Sequence, residues 1–241
     1  MTRKSDSVSA AERALSLLVA FSHRDRHLTL AELARRVALD KATVLRLART
    51  LANSGFLVRN EDSSWRLGPE LARLGVIYQE SFVLAEVAAP LLKELAEATG
   101  ESAAIYVREG AQRICLFRHE SEQSIRHHVR VGALLPLELG APGRVILAFE
   151  GVEGAVYDRI RAVGHHVSFG ERDPQVASAV VPLFEKGARL FGSLAVTGPP
   201  NRFDEAAVAH HLGVLRDVGR RLSRAMGGDT AAYGAPKAET G

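Results

Sequence analysis

Residues 29–59 read TLAELARRVALDKATVLRLARTLANSGFLVR, and the reading of this stretch decides the fold. Thr29, followed three residues on by Glu32, has the form of a capping box: the hydroxyl accepts the third helical amide while the carboxylate reaches back to the cap. Leu30, Leu33, Ala34 and Val37 then recur on one face of a short helix. Asp40 can cap the next helix, where Val44, Leu47, Ala48 and Leu51 repeat at helical spacing until Gly55 ends the run. Two short helices joined by a tight turn, the second capped and basic, form a helix-turn-helix pattern. With the apolar face packed inward, Lys41, Ala42, Thr43, Arg46, Arg49 and Asn53 are left outside. Positions 42, 46, 49 and 53 share one side, because three- and four-residue steps bring side chains together. An arginine can fork onto guanine, and hydroxyl and amide groups read other base edges. A solvated helix face would carry similar residues; the flanking pattern favours contact with a DNA groove.

Toward the N-terminus, Ser9 and Glu12 match a second capping box. Leu15, Leu17, Leu18 and Phe21 supply the apolar stripe of a first helix expected to end near Ser22, before a polar break from His23 to His27. Toward the C-terminus, Phe56 to Arg59, a polar turn over Asn60 to Ser64, and Trp65 to Leu67 read as a β-hairpin. Directly after a recognition helix such a hairpin is a wing, in which Arg59 and Arg66 can reach phosphates and Trp65 anchors the strands.

The chain has 241 residues, enough for two modest domains. Residues 1–68 are expected to form a winged helix-turn-helix domain, 69–81 a linker helix, 82–226 an effector domain and 227–241 a disordered tail. Leu71, Leu74, Ile77 and Tyr78 line one side of the linker helix, a natural seam for a second copy. Further on, a helix from Phe82 to Thr99 precedes a hairpin spanning Ser102 to His119, and Ile125 to Val131 is read as another strand. Helices over 143–149 and 152–163, a hairpin over 177–197, and a terminal helix capped by Asp204 complete an α+β fold, an antiparallel sheet flanked by helices.

Net charge is +3, divided as +5 through Gly68 and −2 beyond it, which suits a module that meets phosphates joined to one that does not. No apolar run approaches the roughly 18–20 residues that span a bilayer. Glu12 and Arg13 interrupt the apolar stretch near the N-terminus, so a signal peptide is not expected, and the cytoplasm is the expected compartment. Cys115 is the only cysteine, which excludes an internal disulfide and any Cys-rich zinc site. It reads as a core residue. The histidine pairs 127–128, 165–166 and 210–211 lack a carboxylate or thiol spacing that would hold a metal, and no metal or cofactor is expected. Sequence motifs of hydrolases, phosphate-binding loops, dinucleotide folds and zinc proteases are absent, so no catalytic residue is assigned. An enzyme with an accessory DNA-binding module is the alternative, and a poor one.

From about Val8 to Leu222 the chain resembles the IclR family of bacterial regulators. The resemblance rests on Thr29-Leu-Ala-Glu-Leu-Ala, Lys41 to Leu47, Gly55-Phe-Leu, Trp65 to Gly68 and Leu74-Gly75. Further on it rests on Leu135-Pro-Leu137, Gly143 to Ala148, Glu171-Arg172, Val176 to Ser178, Val181-Pro182 and Gly198-Pro199. It implies a winged helix, a linker helix and a GAF-like effector domain, in dimers or dimers of dimers that bind palindromic operator DNA. It implies regulation, as repressor or activator, by a small organic effector such as a catabolic carboxylate or aromatic metabolite. By position it places the effector at Ala141, Pro142, Ser168, Ser178, Ala195 and Thr197. Amides at a helix N-terminus suit a carboxylate there, and Ser178 and Thr197 could donate from strands. Glu138, Pro142, Arg144 and Ser168 depart from the family's usual residues, Pro142 removing one amide, and these departures bear on the ligand rather than on the architecture.

Overall fold

Three capped or buried helices and a hairpin build the first of two units into which the chain divides, residues 1–81 and 82–241. The protein is described by a computed structural model, covering residues 8–22, 24–80 and 84–233. In the first unit lie α1 (Ser9–Val19), α2 (Leu30–Val37) and α3 (Lys41–Asn53). The capping box at α2 forms in both directions: Thr29 Oγ1 accepts the Glu32 amide at 3.2 Å, and the Glu32 carboxylate accepts the Thr29 amide at 2.8 Å. Asp40 caps α3 by accepting the Thr43 amide at 2.8 Å. Between these helices Ala38 adopts a left-handed conformation, φ 53°. Leu17, Leu33, Val44, Ala48, Leu57 and Trp65 form the core beneath them.

The N-terminal cap differs from expectation. Val8 holds the cap position without a side-chain hydrogen bond, Ser9 is already helical, and the helix ends at Val19 rather than near Ser22. Leu15 is exposed although Leu17 is fully buried. Two residues correspond to about 200° of helical rotation, so both cannot face the core.

Strands β1 (Leu57–Arg59) and β2 (Trp65–Leu67) pair antiparallel, with Arg59 opposite Trp65. Leu28 and Trp65 exchange both backbone hydrogen bonds at 2.8 Å, which ties the hairpin to the segment before α2. At Gly68 a Cβ would stand 2.0 Å from the Gly55 carbonyl oxygen, so only glycine lets the strand leave beside the end of α3. The helix α4 (Pro69–Glu80) follows, with Leu74, Val76 and Ile77 exposed. The side chain of Tyr78 lies outside the described residues.

The second unit begins with α5 (Leu84–Thr99); its expected start at Phe82 lies outside the described residues. Then come β3 (Ser102–Glu109), β4 (Gln112–His119), β5 (Leu134–Pro136), α6 (Ala141–Phe149), α7 (Ala155–Val163), β6 (His166–Phe169), β7 (Ala177–Glu185), β8 (Arg189–Gly198) and α8 (Glu205–Ala225). The strands form one antiparallel sheet in the order β5-β4-β3-β8-β7-β6. Alternate residues face opposite sides. Ala103, Ile105, Ala179, Val181, Leu194 and Val196 pack with α5 and α8, whereas Ala104, Tyr106, Val180 and Ala195 pack with α6. Because both faces are covered, β7 is buried along almost its whole length instead of alternating.

Residues 125–131, expected as a strand, form none. The free edge of β4 is taken by Gly132, Ala133 and β5, leaving no ladder for that segment to join. Residues 227–233, expected to belong to a disordered tail, are ordered instead. The Gly228 amide donates to the Ser223 carbonyl at 2.7 Å, and Tyr233 is 3% exposed with its hydroxyl donating to the Pro182 carbonyl. Residues 234–241 lie outside the described residues. Among the described residues no helix is long and apolar enough to cross a membrane.

Candidate nucleic-acid interface and ligand cavity

The buried residues of α3, Val44, Ala48 and Leu51, turn its opposite side outward. Lys41, Ala42, Arg46, Arg49 and Asn53 are all exposed, and Thr43, half-buried, gives its amide to the cap. No carboxylate of the described residues lies within 4 Å of the Lys41, Arg46, Arg49 or Arg66 side-chain nitrogens. In the hairpin, Arg59 lies over the Trp65 ring, 5.8 Å from its centroid, and donates to Ser63 Oγ at 3.1 Å, while Arg66 projects from β2 unpaired. Trp65 is 1% exposed and anchors the hairpin. This is a cationic helix face beside a cationic hairpin, able to accept phosphate and base-edge contacts together.

In the second unit, Ser168, Ser178 and Thr197 lie in one row across β6, β7 and β8: Ser168 pairs with Ser178, and Ser178 with Thr197. The Ser178 and Thr197 hydroxyls are 3.1 Å apart. Ser168 accepts the Ala141 amide at 3.2 Å and so caps the first turn of α6. This row and Pro142 line a cavity of about 20 Å³, room for about one water. Ala141 and Ala195 are fully buried in the packing of α6 against the sheet and do not line it. Of the amides expected to face a ligand, Ala141's is thus engaged and Pro142 has none. At Gly143 a Cβ would meet the Leu137 carbonyl oxygen at 1.7 Å, so glycine is needed where the chain doubles back beside the cavity.

Sequence reasoning passed over the charged wall of this cavity, formed by Arg113, Arg172 and His127, with Tyr106 beside them. Arg113, from β4, is 2% exposed; its Nη1 donates to the carbonyls of Pro136 and Leu139, and its Nε has no partner. Burial lowers its pKa to about 10. Arg172 Nη2 lies 2.6 Å from His127 Nε2. A guanidinium only donates, so Nε2 is the acceptor and the imidazole is neutral, its proton on Nδ1. Burial, with the neighbouring Arg172 and Arg118, pushes His127 down to about 4. Glu171, also on the wall, is offset by Arg144, whose Nε stands 2.9 Å away. An arginine inside a strand reads as an exposed residue from alternation alone; only the covering loop between β5 and α6 buries Arg113.

Cys115 is fully buried, and burial raises its thiol to about 11, which leaves it inert near neutral pH. No group of three His, Cys, Asp or Glu side chains among the described residues is arranged to hold a metal ion.

Two family models match the chain: the IclR helix-turn-helix domain over residues 10–61 and the bacterial transcriptional regulator IclR C-terminal domain over residues 77–157. The HTH-type transcriptional regulator XynR of Escherichia coli K12 is 25% identical over 246 residues, covering 91% of this chain and 98% of that protein. A crystal structure of an IclR-type regulator from Silicibacter sp. TM1040 superposes with a TM-score of 0.81 at 26% identity, covering 92% of this chain and 97% of that one. An IclR homologue from Microbacterium hydrocarbonoxydans, solved in complex with 4-hydroxybenzoate, has the same fold, with a TM-score of 0.75 at 20% identity over 90% of this chain and 99% of that one.

Proposed function

Since the chain belongs to the IclR family of bacterial transcriptional regulators, we propose that it reads operator DNA with the outward face of α3 and answers to a small molecule held in the second unit. Lys41, Ala42, Thr43, Arg46, Arg49 and Asn53 enter the major groove, while Arg59 and Arg66 meet phosphates from the wing. The observation that carries this reading is the row of exposed cations on α3 with no acidic partner among the described residues, on a helix whose other face is locked into a core. Two copies dock on two half-sites. The exposed apolar residues Leu15 and Val19 on α1, with Val8 at its cap, and Leu74, Val76 and Ile77 on α4, support a homodimer or a dimer of dimers. Such a protein works in the cytoplasm, where its DNA is, and the reading gives it no catalytic step.

The effector, a small organic metabolite, occupies the cavity beside the row Ser168–Ser178–Thr197 and enlarges it. The Microbacterium homologue was solved with a small aromatic acid, 4-hydroxybenzoate, which supports a small organic ligand. The effector shifts DNA affinity only as far as it binds one arrangement of the dimer better than another.

Selection of bound sequences from a random-sequence duplex pool, followed by binding curves for the selected site, tests the DNA reading. Arg46→Ala is expected to weaken binding by about 1–3 kcal/mol and relax the preference at one base pair, whereas Arg66→Ala weakens all sequences alike. Equal losses on every sequence with Arg46→Ala would remove direct readout by that residue. For the effector site, Thr197→Val should lose or shift the response to ligand while leaving ligand-free DNA affinity near normal.

A further inference from the structure

The cavity holds charges that no carboxylate of the described residues balances. Arg113 is 2% exposed, its Nε has no partner, and no carboxylate of the described residues lies within 4 Å of its guanidinium. Burying a cation without a counter-charge is costly, and such a cost persists where a bound anion repays it. Arg172, half-buried, is a second cation with no described carboxylate within 4 Å: its partner is the neutral His127 ring. Gly140 separates the two, since a Cβ there would lie 3.7 Å from Arg113 Nη2 and 3.8 Å from the Arg172 Cβ. Glu171 does not neutralise either, being held by Arg144 and facing His166 at 3.5 Å. Asp173 stands at the rim shared with an outer groove, where its Oδ1 accepts the Gln175 amide at 3.0 Å.

That outer groove, about 670 Å³, opens beside the small cavity, and His127, Asp173 and Val176 border both. His127 is held on two sides, its ring by Arg172 and its carbonyl by Arg118. The wall between groove and cavity is therefore a neutral imidazole on a loop without a ladder. A ligand that takes over Arg172 removes the contact that keeps this ring in place and joins the two spaces.

We propose that the effector is an organic dianion, seated with one anionic group on Arg113 and the other on Arg172 in exchange for His127. A monoanion would leave one of the two guanidiniums without a counter-charge. The hydroxyls of Ser178 and Thr197 complete the site from the sheet. The inference rests on the reading that this cavity is the effector site, and it replaces backbone amides by arginines as the groups that hold the acid.

The test is titration calorimetry on the full chain with straight-chain C4–C8 dicarboxylates and benzene-1,4-dicarboxylate, each against its half-amide, which keeps the shape and removes one charge. Glycerol 3-phosphate is included as a dianion with both charges on one head. At least one dianion is expected to bind about tenfold or more tighter than its singly charged counterpart, as hydrogen bonds between charged partners allow. Preference for a dicarboxylate would support a seat on two separate groups; preference for the phosphate would overturn it by placing both arginines on one group. Arg113→Gln should erase the difference, and Arg172→Gln, at a half-buried loop position, should erase it as well. Half-amides binding as tightly as diacids, absence of binding by every dianion tested, or dianion binding unaffected by both variants would each overturn the inference. If half-amides or neutral diamides bind and change operator affinity, the effector reading stands and only the dianion falls.

Discussion

Ala38 sits in the turn between α2 and α3 at φ 53°, a conformation in which a Cβ crowds the following carbonyl at a cost of about 1–2 kcal/mol. Ala38→Gly is expected to stabilise the first unit by about 0.5–1 kcal/mol after the added flexibility of the unfolded chain is subtracted, measured by urea denaturation. A loss of stability would mean that the turn is not left-handed. His127 makes a different claim at the same scale. Its pKa, pushed down to about 4, lies below the usual value near 6.5, so the folded protein keeps the ring neutral where the unfolded chain would protonate it. Stability is therefore complete above about pH 6.5 and declines as pH falls toward 4. An NMR titration of the ring should give a midpoint near 4; one near 6.5 would show that the ring is solvated and free of Arg172.

Whole elements succeeded or failed as predictions according to how local their causes are. Both helices of the helix-turn-helix were legible because cap, apolar period and breaker occur within each segment, as Thr29, Glu32 and Asp40 demonstrate. The segment 125–131 was not, because strand formation needs an edge, and β5 had taken it. Residues 228–233 look like part of a flexible tail by composition, yet one aromatic docks them: Tyr233 meets Phe184 edge-on at 6.2 Å and bonds to Pro182 and Ser223. Tyr233→Ala should cost about 3–5 kcal/mol in the unfolding of the second unit, and Tyr233→Phe about 1 kcal/mol. An unchanged denaturation midpoint in both would show that this segment is not part of the unit.

For the molecule as a whole, charge separation makes a measurable statement. The first 68 residues carry +5 and the remainder −2, so phosphate contacts should be confined to one part of the chain. Binding to the selected operator should weaken steeply with salt, and Lys41→Gln or Arg66→Gln should each reduce the slope of log K against log salt by about 1, since each removes one phosphate-neutralising cation. Neutralising Arg189 or Arg221, exposed cations of the second unit, should leave that slope unchanged. A slope insensitive to Lys41 and Arg66 would move the interface away from α3 and the wing.

By itself the sequence determined the winged helix-turn-helix, the outward cations of α3 and the two hairpins of the second unit. Each of these follows from spacing along a single element. The hydroxyls of Ser168, Ser178 and Thr197 could be named from resemblance, but their alignment into one row depends on strand register. Only the tertiary structure decided that Arg113 is buried, that Ala141 and Ala195 stand behind the cavity wall, and that His127 is held neutral between cations. Burial of a charge depends on what the rest of the chain lays over it, and no local pattern records that.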